Sequence, residues 1–410
     1  MLRKTKLKKK YNGASSLINL NLNTLTLINK KGQDMKKVFL ISILFISLLW
    51  LTPKTGWSCS TFCLDMNGQH IVGFNLDWIQ PDGLVVVNKH GVKKTAFVDT
   101  QNDYGQPATW LSKYGSVTFN MFGPEFTAAL GMNEAGLVVC GLNLNATQNP
   151  APDKRPYAGM GQYTQYQLDN FNTVKDVMAS VKQIRIGGPY ATKMPTHFFI
   201  CDKTGACAVV EFLDGKPVFY SGKNLPIKAL TNTAYADALR FLKTGTRPKD
   251  DRPGFTMKRF LKVVDMLNKY TSQGSGSVID YAFTILQSVP PVEYEIIDGV
   301  RIASGLGDTQ WSVVFDLQNL YIYFCTITNR NIRVINLNSF DYSCSKPAQV
   351  LDINTDLSGD VTGQFKDYSK ENSRQHISDS ALVVLSDYIG LSNETIDSIF
   401  LYPDKTACKQ

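Results

Sequence analysis

The chain has 410 residues, 43% apolar and 19% charged, and its 43 Lys and Arg against 35 Asp and Glu give a formal charge of +8. Those fractions exclude a disordered, collagen-like or coiled-coil protein and leave a globular one, with one large domain or two ordinary ones. A net +8 would suit a nucleic acid or an anionic membrane. Eleven of the basic residues and one acid lie in residues 1–58, however, so the remainder carries 32 basic against 34 acidic residues. Neither a nucleic-acid partner nor a stable membrane anchor is expected from that balance.

Residues 1–34 have a Lys-rich head and no periodic apolar face, and are read as an unstructured upstream extension. Met35-Lys36-Lys37 is a positive n-region, and Val38 to Leu51 is an apolar run broken only by Ser42 and Ser47. Gly56-Trp57-Ser58 then sets small residues at the two positions a signal peptidase reads. A membrane span needs about 20 apolar residues, so 35–58 is read as a signal peptide and the mature chain as secreted or periplasmic.

Cleavage between Ser58 and Cys59 would make Cys59 the first residue. Its thiol, of ordinary pKa about 8.5, would be the nucleophile, and its own α-amine, about 7.7–8.0, the base. This is the cysteine counterpart of a threonine activated by its N-terminal amine. Two plainer readings compete. Lipidation wants an aliphatic residue where Gly56 stands. A disulfide half fits an oxidising compartment.

The eight cysteines (59, 63, 140, 201, 207, 325, 344 and 408) all follow the signal, so a free Cys59 leaves at least one other unpaired. There is no C-x-x-C pair, and His70, His90, His197 and His376 are scattered, so no zinc site is expected. A papain-type partner would be His197, but it sits in a strand-like run where a structural histidine is the commoner outcome.

Short strands are expected at Ser60–Leu64 and Gln69–Asn75 around an Asn67-Gly68 turn, then at Leu84–Asn88 and Val117–Met121. Phe126–Met132 and Gly136–Leu144 make a further pair. Helical spacing covers Phe171–Ile184 and Phe255–Lys269. His197–Cys201 and Ala208–Leu213 make a hairpin in which Cys201 and Cys207 are able to cross-link. Late strands fall at Ser312–Leu317, Tyr321–Ile327 and Ile332–Leu337, and a helix near Ser380–Ile389 follows a polar stretch. Strand runs with inserted helices indicate an α+β protein.

Several pieces, in order, resemble the choloylglycine hydrolase/penicillin V acylase family of N-terminal-nucleophile hydrolases. Cys59-Ser60-Thr61-Phe62 is followed by Gly73-Phe74-Asn75-Leu76-Asp77-Trp78, then Gly131-Met132-Asn133-Glu134-Ala135-Gly136-Leu137 and Gly141-Leu142-Asn143-Leu144. Asp202-Lys203-Thr204-Gly205 with Val209-Val210-Glu211, Leu230-Thr231-Asn232, Lys258-Arg259-Phe260 and Trp311 to Asp316 with Tyr321-Ile322-Tyr323 complete the series. The likeness covers residues 59–355 and implies a four-layer αββα sandwich of two antiparallel sheets; 356–410 is left as a polar C-terminal extension.

Carried over by the resemblance, Cys59 is the nucleophile, Asp77 orients its α-amine, Asn143 and Asn232 flank the oxyanion, and Arg259 favours the thiolate. Read on their own residues, Asp77 is a turn acid, the asparagines are loop residues and Arg259 a surface cation on a helix. One departure is plain: Phe74 stands where bile-salt hydrolases carry Arg. The interval from Asn232 to Arg259 is also short for the assembly hairpin of those enzymes, which argues against a tetramer.

The resemblance implies a secreted cysteine amidohydrolase acting on a small acylated amine without metal or organic cofactor. An inactive acyl-amide binding protein on the same fold and a papain-type protease are the alternatives. Penicillin V, conjugated bile salts, N-acyl homoserine lactones and other acylated amines remain open as substrates, with Trp78 and Phe122 as candidates for an apolar acyl site.

Overall fold

The structure, a computed structural model, describes residues 59–408 apart from 67, 98–103, 122, 124–127, 189–190, 192–193, 249–254, 271–276, 290–293, 298–299, 304–307, 379–389, 391 and 403–406. The expected extension and signal segment, Phe122 and the helix near Ser380–Ile389 lie outside the described residues.

Two large sheets organise the chain. Their strands are numbered β1 (Ser60–Met66), β2 (Gln69–Trp78), β3 (Leu84–Asn88), β4 (Ser116–Asn120), β5 (Ala128–Asn133), β6 (Val138–Asn143), β7 (Thr196–Cys201) and β8 (Cys207–Leu213). They continue as β9 (Lys216–Ser221), β10 (Ala229–Leu230), β11 (Asp308–Asp316), β12 (Tyr321–Thr326), β13 (Arg333–Asn336), β14 (Gln349–Asp352), β15 (Gly359–Asp360) and β16 (Lys366–Asp367). The first sheet runs β10-β1-β2-β11-β12-β13-β15 and the second β9-β8-β7-β6-β5-β4-β3-β14-β16. Neighbours are antiparallel except β13 and β15, which pair in parallel.

β1 and β2 meet in a hairpin with Met66 opposite Gln69 and Ser60 opposite Asn75. Gly68 holds φ +79° in its turn, a left-handed conformation that glycine adopts without steric cost. Along β2, Val72, Phe74, Leu76 and Trp78 point into the layer between the sheets while Ile71 points to the outer face. The strand is buried on both faces from Ile71 to Trp78, so the polar Asn75 and Asp77 that alternate with its apolar residues are buried too.

Helices cover both outer faces. Tyr235–Thr244 (α3), Phe255–Lys269 (α4) and Val278–Ser288 (α5) pack on the first sheet through Ala238, Met257, Phe260, Val263 and Leu286. Met160–Asn170 (α1) and Val174–Ser180 (α2) pack on the second through Tyr163, Leu168, Val174 and Val177. Each such large apolar side chain contributes about 1.5–3 kcal/mol on burial. The arrangement is the expected αββα sandwich.

α4 has the bounds expected from its spacing. The helix expected at Phe171–Ile184 is cut to Val174–Ser180: Thr173 caps its start by accepting from Asp176 N–H. After Ser180 the chain turns and Arg185–Ile186 pairs in parallel with Tyr157–Ala158.

The segment after residue 355, expected as a polar extension, is built into the same unit. β15 pairs with β13, β16 with β14, and Ala407–Cys408 with Val92–Thr95. Ile396, Ile399 and Phe400, on the helix Asn393–Phe400, join the core between the sheets. Cys408 is bonded to Cys344, and Cys201 to Cys207. No helix among the described residues is long and apolar enough to cross a membrane.

Candidate active site

The start of β1 and the end of β2 lie side by side, because their hairpin sets Ser60 opposite Asn75. Register therefore brings Cys59 and Asp77 together at the same end of two neighbouring strands inside the first sheet, both almost completely buried. The backbone N–H of Asp77 faces the Cys59 sulfur and favours its ionised form.

The Asp77 carboxylate is held from the other side. β11 pairs with β2, Thr309 opposite Asp77, and the register slips between Thr309 and Trp311. Gln310, the residue at that slip, caps the Trp78 carbonyl through Nε2 at 2.7 Å. Thr309 Oγ1 donates to Asp77 Oδ1 at 2.6 Å. Asp77 Oδ2 is buried and, among the described residues, has no hydrogen-bond partner. Bulges are a common way to re-aim side chains near a site.

From the outer helix layer, α4 sends Arg259 inward. Its Nη1 donates to the Cys59 carbonyl oxygen at 2.6 Å and to Ser60 Oγ at 2.9 Å, and its Nη2 donates to Asn232 Oδ1 at 2.9 Å. Asn232 Nδ2 in turn donates to the Asn143 carbonyl at 2.8 Å. One guanidinium thus ties the first strand to the Asn232 loop and, through it, to β6; the planar fork of arginine suits such multiple contacts.

Burial dominates the electrostatics. It raises the Cys59 thiol to about 12, with the Asp77 charge adding to the effect and the Asp77 N–H and Arg259 opposing it. It raises Asp77 to about 7, against the pull of Arg259 and the Thr309 hydroxyl. Both values belong to the chain in which Cys59 is still joined to Ser58 through an amide. In that form the Cys59 nitrogen is an uncharged amide, and a buried carboxylate lacking a positive neighbour is costly.

Of the five residues expected at the site, Cys59, Asn232 and Arg259 are joined by direct hydrogen bonds, and Asp77 touches Cys59 through its backbone. Asn143 is linked by its main-chain carbonyl; its side-chain amide donates to Asn145 Oδ1 at 3.0 Å. Phe74 is fully buried between the sheets, its backbone opposite Thr61 and Val313, so the departure from the family pattern is filled by core packing. Trp78 is buried in the same layer. His197 is fully buried and pairs through Nδ1 with Glu211 at 3.1 Å, a structural contact. Thr309 and Ser60 were not marked as site residues by the sequence. Thr309 is recognisable only once the slip in β11 is known, and Ser60 only as the neighbour of Cys59.

Two antiparallel sheets between helical layers, with a cysteine at the head of the first strand, define an N-terminal-nucleophile hydrolase fold. The profile of the linear amide C–N hydrolases, choloylglycine hydrolase family, matches residues 59–350, and the chain belongs to that family. It is 28% identical over 293 residues to a penicillin V acylase of Pectobacterium atrosepticum, covering 63% of this chain and 76% of the relative. Penicillin V acylase from Agrobacterium tumefaciens superposes with a TM-score of 0.61 at 23% identity, covering 76% of this chain and 98% of that one. A variant of conjugated bile acid hydrolase from Clostridium perfringens gives 0.57 at 19% identity, covering 73% and 98%. The family acts on carbon–nitrogen bonds other than peptide bonds, in linear amides.

Proposed function

We propose that the chain is the precursor of a secreted amidohydrolase, cut between Ser58 and Cys59, and that the Cys59 thiol carries the reaction. The observation that carries this reading is Asp77 Oδ2, which is buried and has no hydrogen-bond partner among the described residues, next to the residue whose amine cleavage would release. An ammonium there would pair with the carboxylate, stabilise its ionised form and fix the amine beside the thiol.

In the proposed cycle the amine takes the thiol proton and the thiolate attacks the amide carbonyl. A tetrahedral oxyanion forms, collapse expels the amine with that proton, and an acyl-thioester remains. The α-amine then activates water, and hydrolysis releases the acid. Arg259 fixes the Cys59 carbonyl and Asn232, so its work is to hold the nucleophile and the amide donor in register. One such donor at an oxyanion is worth about 2.7–4 kcal/mol.

The substrate proposed first is an N-acyl amide of the penicillin V type, after the curated relative. Conjugated bile salts and N-acyl homoserine lactones are the comparison compounds. Purified mature protein is assayed for release of acid from each. Turnover of penicillin V that vanishes in Cys59→Ala, with the fold retained by circular dichroism, is expected. Undiminished turnover by that variant would refute the mechanism.

A further inference from the structure

A second group of sulfur atoms lies away from Cys59. The Sγ atoms of Cys63, Cys201 and Cys207 all fall within 4.8 Å of one another. Cys201 and Cys207 are disulfide-bonded, and Cys63 is a free thiol. Cys63 is on β1 of the first sheet and the other two on β7 and β8 of the second, so the group spans the layer between the sheets.

The surroundings are polar on one side. Cys63 Sγ is 3.6 Å from Asp65 Oδ1. Lys228 Nζ donates to the other Asp65 oxygen and, at 2.7 Å, to the Gly205 carbonyl beside Cys207. Two clefts reach the place from outside: one of about 490 Å³ lined by Cys207, Gly205 and Lys228, and one of about 270 Å³ lined by Cys63, Asp65 and Lys228.

We propose that Cys63, Cys201 and Cys207 form a thiol–disulfide exchange site in which the bond migrates from within the second sheet to a position joining the two sheets. The Cys63 thiolate attacks Cys207 Sγ, the Cys63–Cys207 bond forms as the Cys201–Cys207 bond breaks, and Cys201 leaves as a thiolate that takes up the proton Cys63 released. Attack on Cys201 gives the mirror product. No oxidant or reductant is consumed. The Asp65 carboxylate is placed to receive the proton in transit.

The bond in place joins two residues directly opposite each other in a ladder that already holds β7 to β8. The migrated bond would close a loop of well over a hundred residues and so constrain the unfolded chain more, because the closure effect grows with loop length. It would also fix the strand that follows Cys59, four residues beyond that residue. Burial and Asp65 hold the Cys63 thiol well above the ordinary range, which makes the exchange slow at neutral pH.

The test is non-reducing peptide mapping of the purified protein, incubated without added thiol, quenched in acid and alkylated. Peptides linking Cys63 to Cys201 or Cys207 are expected to grow at the expense of the Cys201–Cys207 link, at a rate independent of protein concentration. Recovery of Cys63 entirely as an alkylated thiol, with Cys201–Cys207 the only link at all times, overturns the proposal. In Cys201→Ser, oxidised glutathione is expected to produce a Cys63–Cys207 bond with release of two equivalents of glutathione. A folded variant that keeps both thiols free overturns it as well; if that variant does not fold, the wild-type map decides.

Discussion

Replacing Thr309 by valine removes one hydroxyl and leaves the side-chain shape. The lost contact is the 2.6 Å hydrogen bond from a half-buried threonine to the buried Asp77 Oδ1. A hydrogen bond to an ionised group contributes about 1.5–3 kcal/mol. At 1.36 kcal/mol per unit, that is about one to two pKa units on Asp77. The bond favours the carboxylate, so its removal raises the pKa. In the proposed mechanism the α-amine is held by ionised Asp77, and kcat/KM falls as that carboxylate takes up a proton. The acid limb of the pH profile should therefore move up by about one to two units in Thr309→Val. On the acid side of the wild-type limb activity should drop by about ten- to a hundredfold and recover as pH rises, while Thr309→Ser should stay near wild type. The assay is kcat/KM for the amide between acid and alkaline pH, with the melting temperature measured alongside. An unmoved acid limb in a variant of normal stability would refute the role given to Thr309 and Asp77.

Further outcomes follow from the same geometry. Arg259→Met removes the contacts to Cys59, Ser60 and Asn232 and a charge that lowers both Cys59 and Asp77; the rate of thiol alkylation against pH should shift to higher pH, and activity should fall by about 10²-fold or more. Phe74→Arg buries an unpaired cation between the sheets and should cost several kcal/mol, about 3 or more, read by urea unfolding, with no gain in bile-salt turnover. In the uncut chain the folded-state pKa of Asp77, about 7, lies above its unfolded value of 3.8. That chain should therefore be most stable below pH 4 with respect to this group and lose up to about 4 kcal/mol as pH rises toward 7, a slope that Asp77→Asn should abolish in denaturation curves. Cys408→Ser opens the loop closed with Cys344 and should lower unfolding free energy by about 2–4 kcal/mol under non-reducing conditions.

The two-sheet architecture was legible because its strands are short, rich in apolar residues and bounded by turn residues such as Asn67-Gly68. The long amphipathic helix Phe255–Lys269 was legible from its spacing alone. α1, Met160–Asn170, was missed for a physical reason. It buries Gln162, Thr164, Gln165, Gln167 and Asp169 along with Tyr163 and Leu168, so no apolar stripe marks it. The Asp169 carboxylate finds partners inside: it accepts from Trp110 Nε1 at 2.7 Å and from Gln165 Nε2 at 2.8 Å, and faces Lys94 at 3.2 Å. The tail after 355 read as polar because its anchoring rests on a few residues, Ile396, Ile399, Phe400 and Cys408, scattered among solvated ones.

At the site, Cys59, Asp77, Asn232 and Arg259 could be placed by order along the chain, because each sits in a short motif. Thr309 could not: a threonine near a strand start carries no signal until the slip in β11 sets it opposite Asp77. The hydrogen bond from the Asn143 side chain to Asn145, in place of a direct link to Cys59, likewise depends on loop geometry that the sequence does not display.

The central claim is that Cys59 becomes an N-terminal nucleophile, and mass spectrometry during turnover tests it most directly. Secreted protein is mixed with penicillin V, quenched in acid and digested. The account predicts a first peptide that begins at Cys59 and carries the acyl group of the substrate on that residue. A mature N-terminus elsewhere, or an unmodified Cys59 peptide with the acyl group on another residue, would contradict it.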